Sequence, residues 1–398
     1  MPRPDAHSIR LLNGAAYASM FVFGIVMAVL GAILPLLGLH LQFATADIGK
    51  LFLVMNAAML ASSLVLGLAM DRFGMKPPLA IGPLLVAAAL CVMMRANAFV
   101  ALLPAVVLLG IGGAALNGAA NTLVADLHDD PRRKGAALNL LGVFFGFGAL
   151  FLPFVIGALV ARYSASQILI ATSVLCAAVG IFSSLRSFPA PKQRHAFPLA
   201  DVPRFLRSPL VLAFACLLFF ESGVEFTLGG FISTYLLHDI GLSSIAIASW
   251  ILAAYWASIM IARGVLSRIA LRMEPYRVLL LSACGAGLGA LVSAVAPGPA
   301  VATLGIVICG CSLAGVYPTS LGIAGDRFRS HSGTVFGILF AIALAGGMVL
   351  PFIAGQIGAA AGLRWIFGMI AAAFAAIAAL TRIARRVESH NNVSQEIA

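Results

Sequence analysis

Long apolar segments, separated by short polar breaks, run along almost the whole of the 398-residue chain. A membrane-spanning helix needs about 20 consecutive apolar residues, whereas a strand of a transmembrane barrel alternates over about ten. The segments here are continuous, so the pattern predicts an all-α membrane protein with twelve transmembrane helices. The predicted spans are 15–38, 47–70, 78–97, 99–124, 135–161, 165–185, 209–236, 243–263, 276–296, 300–324, 333–358 and 363–383.

The break between spans six and seven is longer and more polar than the others. It runs from Arg186 to Ser208 and is rich in proline. We interpret it as the linker between two six-helix bundles. The predicted organisation is an N-terminal bundle (1–185), a cytoplasmic linker (186–208), a C-terminal bundle (209–383) and a cytoplasmic tail (384–398).

The two halves of the sequence repeat each other. At an offset of 198 residues, Leu152–Gly157 aligns with Leu350–Gly355 and Gly148 with Gly346. Proline and glycine at fixed offsets are harder to match by chance than apolar residues. Two parallel repeats predict pseudo-symmetric bundles, with a substrate site near the bilayer midplane between them. Gly142, Gly146 and Gly148 of span five are expected to permit close helix approach.

Composition excludes a water-soluble protein. Hydrophobic residues make up 62% of the chain, charged residues 10%, and the mean hydropathy is +1.05; a soluble domain carries charge at about a quarter of its positions. With both termini on one side, 21 of the 25 Lys and Arg residues fall on that side, including Arg263 at the end of span eight. Such an excess marks the cytoplasmic face.

The net charge of +11 is therefore a topology signal and does not indicate nucleic-acid binding. We expect a multi-pass protein of the plasma membrane (the inner membrane in a bacterium), with both termini cytoplasmic and the lipid bilayer as its surroundings.

Two acidic residues lie deep within a span. Glu221 and Glu225 are near the middle of span seven, and their spacing of four places them on one helix face. A charge at the bilayer centre costs about 3 kcal/mol on insertion scales, so such residues usually face a polar cavity. At the repeat offset they match Phe23 and Met27, so the shared scaffold does not require them. They are candidates for proton coupling or substrate binding; the alternative is a packing role.

Polar and aromatic residues in other spans are candidates for lining a substrate cavity. Amides both donate and accept hydrogen bonds, which suits a hydroxyl-rich solute, and aromatic rings can stack on a sugar or a cation. The alternative for each is helix packing. The candidates are Asn56, Asn117, Trp256, Tyr255 and Tyr317.

Motifs for enzymatic chemistry are absent from the sequence. It contains no Gly-Lys-Ser or Gly-Lys-Thr phosphate loop, no His-Glu-x-x-His and no Gly-x-Ser-x-Gly. We expect no catalytic residues, no cofactor, no metal site and no enzyme activity.

The turn after span two carries a family signature. Residues 67–76 read Gly-Leu-Ala-Met-Asp-Arg-Phe-Gly-Met-Lys, which resembles the Gly-x-x-x-Asp-Arg-x-Gly-Arg-Lys motif of the major facilitator superfamily; Met75 departs from it. The resemblance implies a secondary transporter working by alternating access. It also implies that Asp71 meets the N-terminal end of span eleven, near Gly333, and latches the cytoplasmic gate. The gate residues are Gly67, Asp71, Arg72, Gly74 and Lys76, with Asn121 and Asn139 assigned to gating or packing.

A narrower resemblance is to the sugar-permease branch that includes proton-coupled fucose permeases. It rests on Asn121–Asp126, Gly223–Glu225 and Gly315–Thr319, and it favours Glu225 over Glu221. It implies a monomer that moves a small hydroxylated solute together with protons. The alternatives are proton-driven efflux of amphipathic or cationic compounds, and a receptor or scaffold protein that does not transport.

The latch predicts a shift in conformation when its charge is removed. Asp71→Asn should fold normally but favour inward-open states about two- to fivefold, because a charge–dipole contact is worth about 0.3–1 kcal/mol. Spectroscopic distances across the cytoplasmic side would measure the populations. Unchanged populations would contradict the latch.

Overall fold

Helices account for nearly all of the chain that the structure describes. The computed structural model describes residues 6–39, 41, 43–128, 130–189, 202–269, 272–328 and 331–396, and these contain no strand. The helices are α1 Ala6–Leu37, α2 Thr45–Phe73, α3 Lys76–Arg95, α4 Leu102–Leu127, α5 Pro131–Leu159, α6 Ala165–Ser184, α7 Val202–Leu206, α8 Pro209–His238, α9 Ile245–Ile269, α10 Pro275–Ala294, α11 Pro299–Leu313, α12 Val316–Arg327, α13 Ser332–Ala361 and α14 Arg364–Glu396.

Local sequence signals mark where several helices begin. Proline occupies the first position of α5, α8, α10 and α11, where its missing N–H costs no intrahelical bond. α6 begins with a capping box: Gln167 N–H donates to the Ser164 hydroxyl, while Ser164 N–H donates to the Gln167 side chain. These signals fix the short connections between the apolar segments.

The described residues include twelve segments long and apolar enough to cross a membrane, which confirms the predicted spans. Three features differ from the prediction. α9 continues to Ile269, because apolar residues follow Arg263, and α14 continues to Glu396 through the largely polar predicted tail. The linker contains the short helix α7, while 190–201 lie outside the described residues.

The first of two compact units comprises residues 1–194 and 243–257. Within it α1 packs against α5, α2 against α4, and α3 against both α4 and α6. The first half of α9 also belongs here: Trp250 lies edge-on to Phe154 of α5. The predicted bundles place all of α9 with the C-terminal half, so the compact units divide the chain differently from the predicted bundles.

The second unit comprises residues 195–242 and 258–398. Here α8 packs against α13, α10 against α14, and α10 against α11. These pairs correspond, in order, to α1–α5, α3–α6 and α3–α4 of the first unit. These three helix pairings thus repeat in the same order, as the sequence offset predicts, whereas the α2–α4 pairing is not matched by an equally extensive one between α9 and the tenth span.

The repeat extends to a single helix contact. A Cβ atom on Gly148 would overlap the carbonyl oxygen of Phe21, and one on Gly346 would overlap that of Phe219. Each residue of the second pair lies 198 residues after its counterpart in the first pair, which is the offset of the sequence repeat. Only glycine lets the two backbones approach so closely, which confirms the expectation for Gly148. The expectation for Gly142 is wrong, because a Cβ there would meet nothing within 4 Å.

This difference between two glycines of α5 is testable. Gly148→Ala should lower the melting temperature of the purified protein, because overpacking costs about 1–3 kcal/mol. Gly142→Ala is the matched control and should melt at or above the native temperature, since alanine favours a helix by up to about 1 kcal/mol. Equal behaviour of the two variants would contradict the close α1–α5 contact.

Candidate functional site

The most deeply buried acids of the second unit lie on α8. Glu221 is fully buried and Glu225 is 8% exposed, in a helix otherwise dominated by apolar residues. They are one helical turn apart and interact electrostatically with each other. Their side chains therefore share one face of the helix, as the spacing predicts.

An arginine from the neighbouring α9 lies beside these acids. Nη2 of Arg263 is 3.9 Å from Oε1 of Glu225, and the two side chains are 29% and 10% exposed. From the sequence, Arg263 falls on the last residue of predicted span eight and counts only as a topology charge. The structure corrects this: α9 continues for six residues beyond it. The apolar residues that follow Arg263 were the signal that could have revealed it.

A tyrosine completes the group. Tyr317 lies at the start of α12, and its ring stacks on Phe340 of α13 with 6.3 Å between centroids and 8° between planes. It interacts electrostatically with Glu221, Glu225 and Arg263. We refer to these four residues as the acid–arginine cluster.

Tyr317 is positioned by a break in the tenth span. The span consists of α11 and α12, which are interrupted at Ala314 and Gly315. A Cβ on Gly315 would lie 2.5 Å from Cδ2 of Leu266 on α9 and 2.9 Å from Oγ of Ser282 on α10. The small residue lets the chain pass between these two helices, and the new helix starts with Tyr317 as its second residue.

The cluster has unused hydrogen-bonding capacity. Both carboxyl oxygens of Glu221 and Oε1 of Glu225 are buried without a hydrogen-bond partner among the described residues. Buried polar groups are usually satisfied, and exceptions concentrate at sites with a function. Carboxyl groups can release and take up protons, and the guanidinium of Arg263 carries hydrogen-bond donors.

Asparagines of the first unit occupy different environments. Asn56 is fully buried, and its Nδ2 donates to the Phe52 carbonyl oxygen at 3.0 Å. Asn117 is exposed and receives two hydrogen bonds of 2.9 Å from Nδ2 of Asn121, one to its carbonyl oxygen and one to Oδ1. Asn139 is also exposed. The contact of Asn56 is a structural one, whereas Asn117 is open to a ligand; their cavity roles stay predictions.

The aromatic candidates of α9 are enclosed in the first unit. Tyr255 is fully buried and Trp256 is 1% exposed. The Trp256 ring lies edge-on to Phe145, at 6.3 Å between centroids, and to Tyr255. Its Nε1 is buried without a hydrogen-bond partner among the described residues. Packing explains most of their surface, but the unused indole donor leaves a ligand role open.

The signature turn joins α2 to α3. α2 ends before Gly74, whose φ of 78° is a conformation that favours glycine and whose N–H donates to the Met70 carbonyl oxygen at 2.9 Å. Asp71 is partly exposed. The guanidinium of Arg72 lies 5.2 Å from the ring centre of Phe73, and Lys76 opens α3. Gly67 has open space around it. Gly333, the expected partner of Asp71, is in the second unit, so the latch stays a prediction.

Two repeated units of membrane-length helices, with a charged cluster deep in one of them, define a polytopic carrier of small solutes. The sequence profile of the Major Facilitator Superfamily matches residues 16–340, and a second match covers residues 214–397. The chain belongs to this superfamily of transporters, so it is a secondary transporter and not an enzyme.

Comparisons with individual proteins agree with this assignment. The glucose/mannose transporter GlcP of Bacillus subtilis is 22% identical over 355 residues, covering 85% of this chain and 86% of the relative. A variant of the nucleoside transporter NupG matches with a TM-score of 0.77 at 15% identity, covering 94% of this chain and 99% of that one. A variant of the E. coli fucose:proton symporter FucP matches with a TM-score of 0.65 at 18% identity, covering 95% and 99%. At these identities the structural matches show a common fold.

The ion pair of the cluster predicts coupled stability effects. Arg263→Gln and Glu225→Gln should each lower the melting temperature, because each removes one member of a mostly buried ion pair and the other must then be buried without its partner or lose its charge. The double variant should melt higher than the sum of the two losses implies, with a coupling of about 0.5–3 kcal/mol. Arg268→Gln, on the exposed surface of the same helix, is the control and should be additive with Glu225→Gln. Additivity in both combinations would rule out the pair.

Proposed function

We propose that the protein moves a small hydroxylated, sugar-like solute together with protons, by alternating access. The observation that carries this proposal is the acid–arginine cluster. It places two carboxyl groups in a segment where the bilayer tolerates few charges. A proton-coupled carrier needs a group that takes up a proton on one side of the membrane and releases it on the other, and a buried carboxyl can do this.

Sugar-like substrates are supported by polar side chains in each of the two units. Asn117 is exposed, Arg263 is partly exposed, and Nε1 of Trp256 is an unused donor. Neutral donors and acceptors near aromatic rings suit a polyhydroxylated ring, which has both hydroxyl groups and apolar faces. The name of the glucose/mannose transporter relative points to the same class of substrate.

Efflux of cationic compounds is the second candidate, and its basis is the same pair of acids. A site for cations would leave a carboxylate free to face the substrate. Instead, Glu225 has a guanidinium 3.9 Å away, so a cationic ligand would have to compete with Arg263 and be repelled by it. The charge arrangement therefore favours a neutral solute.

The orientation follows from the distribution of basic residues. We propose that both termini and the linker 186–208 are cytoplasmic, that the protein lies in the plasma membrane or bacterial inner membrane, and that it acts as a monomer. In this orientation the signature turn around Asp71 is cytoplasmic, which is where a latch would close the inner gate.

The coupling role of the acids predicts a separation of two transport activities. In liposomes containing the Glu221→Gln/Glu225→Gln variant, accumulation of labelled D-glucose or D-mannose driven by a proton gradient should be abolished. Counterflow of the same sugar should survive at least partly, because exchange needs only the conformational cycle of the loaded carrier. Glu274→Gln, an exposed acid paired with Arg385, is the control and should retain both activities.

Two outcomes would contradict the proposal. If the native protein exchanged neither sugar, the proposed substrate class would need to be replaced. If the double variant still accumulated sugar in response to a proton gradient, another group would carry the coupling proton, and the two glutamates would be binding or packing residues.

A further inference from the structure

We propose that the transported proton resides on Glu221, and that Glu225 remains an ionised partner of Arg263 throughout the cycle. The inference rests on the proposed proton coupling and assigns separate roles to the two acids. It reverses the preference for Glu225 that the family resemblance suggests.

The first step is to count the charges at the site. The cluster holds two carboxyl groups and one guanidinium, together with the phenol of Tyr317. Of the helices that pack against α8, α11 and α13 contain no charged residue, α12 carries Asp326 and Arg327 at its last two positions, and α7 carries Arg204. α14 carries Arg382, Arg385, Arg386 and Glu388 beyond its midpoint, and at its start the backbone N–H of Arg364 donates to Asp239, just past the end of α8. Glu221 interacts electrostatically with Glu225 and Arg263, and Glu225 with Arg263. With these charges alone at the cluster among the described residues, its electrically neutral state holds one proton.

The second step is to decide which acid holds that proton. Nη2 of Arg263 lies 3.9 Å from Oε1 of Glu225, so its positive charge directly compensates that carboxylate. Glu221 is fully buried, and neither of its oxygens has a hydrogen-bond partner among the described residues. An ionised carboxylate without hydrogen bonds or a near counter-ion is strongly disfavoured away from water, whereas the neutral acid is tolerated. The proton therefore belongs to Glu221.

The third step is the consequence for transport. When the site opens to water, the O–H bond of Glu221 can break, the proton passes to water, and the cluster is left with one net negative charge. That charge resists closure of the site into a water-free state, because burial of an uncompensated charge is costly. Glu221 must take up a proton before the empty carrier closes again. One dissociable carboxyl gives one proton for each transport cycle.

The arrangement gives Arg263 a role in stoichiometry. With Arg263 present, one of the two carboxyls is permanently neutralised and only the other exchanges a proton. Without it, both acids would have to be protonated in the neutral state. Arg263 is thus a positioning residue that sets the number of exchangeable protons and does not itself carry one.

Infrared spectroscopy of the purified protein in lipid membranes at neutral pH tests this assignment directly. The carbonyl stretch of protonated carboxyl groups should correspond to one group at the cluster in the native protein, and Glu221→Gln should remove it. Arg263→Gln should double it. The Glu225→Gln/Arg263→Gln variant, which removes the pair without changing the net charge, should keep it. Glu274→Gln should leave the band unchanged.

Two spectroscopic results would overturn the inference: a band that survives Glu221→Gln, or a band that is lost in the Glu225→Gln/Arg263→Gln variant. In liposomes, Glu221→Gln alone should abolish proton-driven sugar accumulation while counterflow persists. If the native protein did not couple sugar to protons at all, the proposed function would fail, yet the infrared count would still decide where the proton resides.

Discussion

Exclusion of water from the bilayer interior is the constraint on which this structure depends. Backbone groups in hydrocarbon must be satisfied within their own segment, which leaves the helix as the available element for continuous apolar runs. The same constraint acts on side chains, because a charge that cannot reach water has to be compensated or neutralised. It restricts the fold to helices, and it requires the few deep charges of α8 and α9 to compensate one another or to be neutralised by protonation.

Scaffold and chemistry are distributed differently over the two repeats. The glycine contacts at Gly148 and Gly346, and the helix pairings around them, occur in both units. The cluster occurs in one. At the repeat offset, its four members correspond to Phe23, Met27, Val65 and Ala119, which are all apolar. The repeated features therefore explain how the helices pack, whereas the unrepeated ones place buried charges in one unit that the shared packing does not require.

The sequence allowed prediction of every span and of the deep acids, since hydropathy over about 20 residues and an isolated Glu within it are strong signals. Arg263 could not be assigned in this way, because an arginine near the end of an apolar run has the same pattern whether it faces cytoplasm or a buried carboxylate. Its role became clear only from the 3.9 Å separation from Glu225. The burial of Asn56 could not be predicted either. Its segment is apolar on all sides, so periodicity does not show which face is buried.

The charge count also bears on the direction of coupling. A neutral solute adds no charge to the cluster, so it could not take the place of a proton on Glu221. If the proton resides there, as proposed, the carrier would close around the solute only with the proton in place, and the two would move together. A cationic ligand could supply the missing positive charge itself, and it would then exchange with the proton. Symport of a neutral solute and antiport of a cation are thus two uses of the same electrostatic rule. The guanidinium of Arg263, which is more exposed than Glu225, would repel a cation, and this charge arrangement supports the proposed symport of a neutral solute.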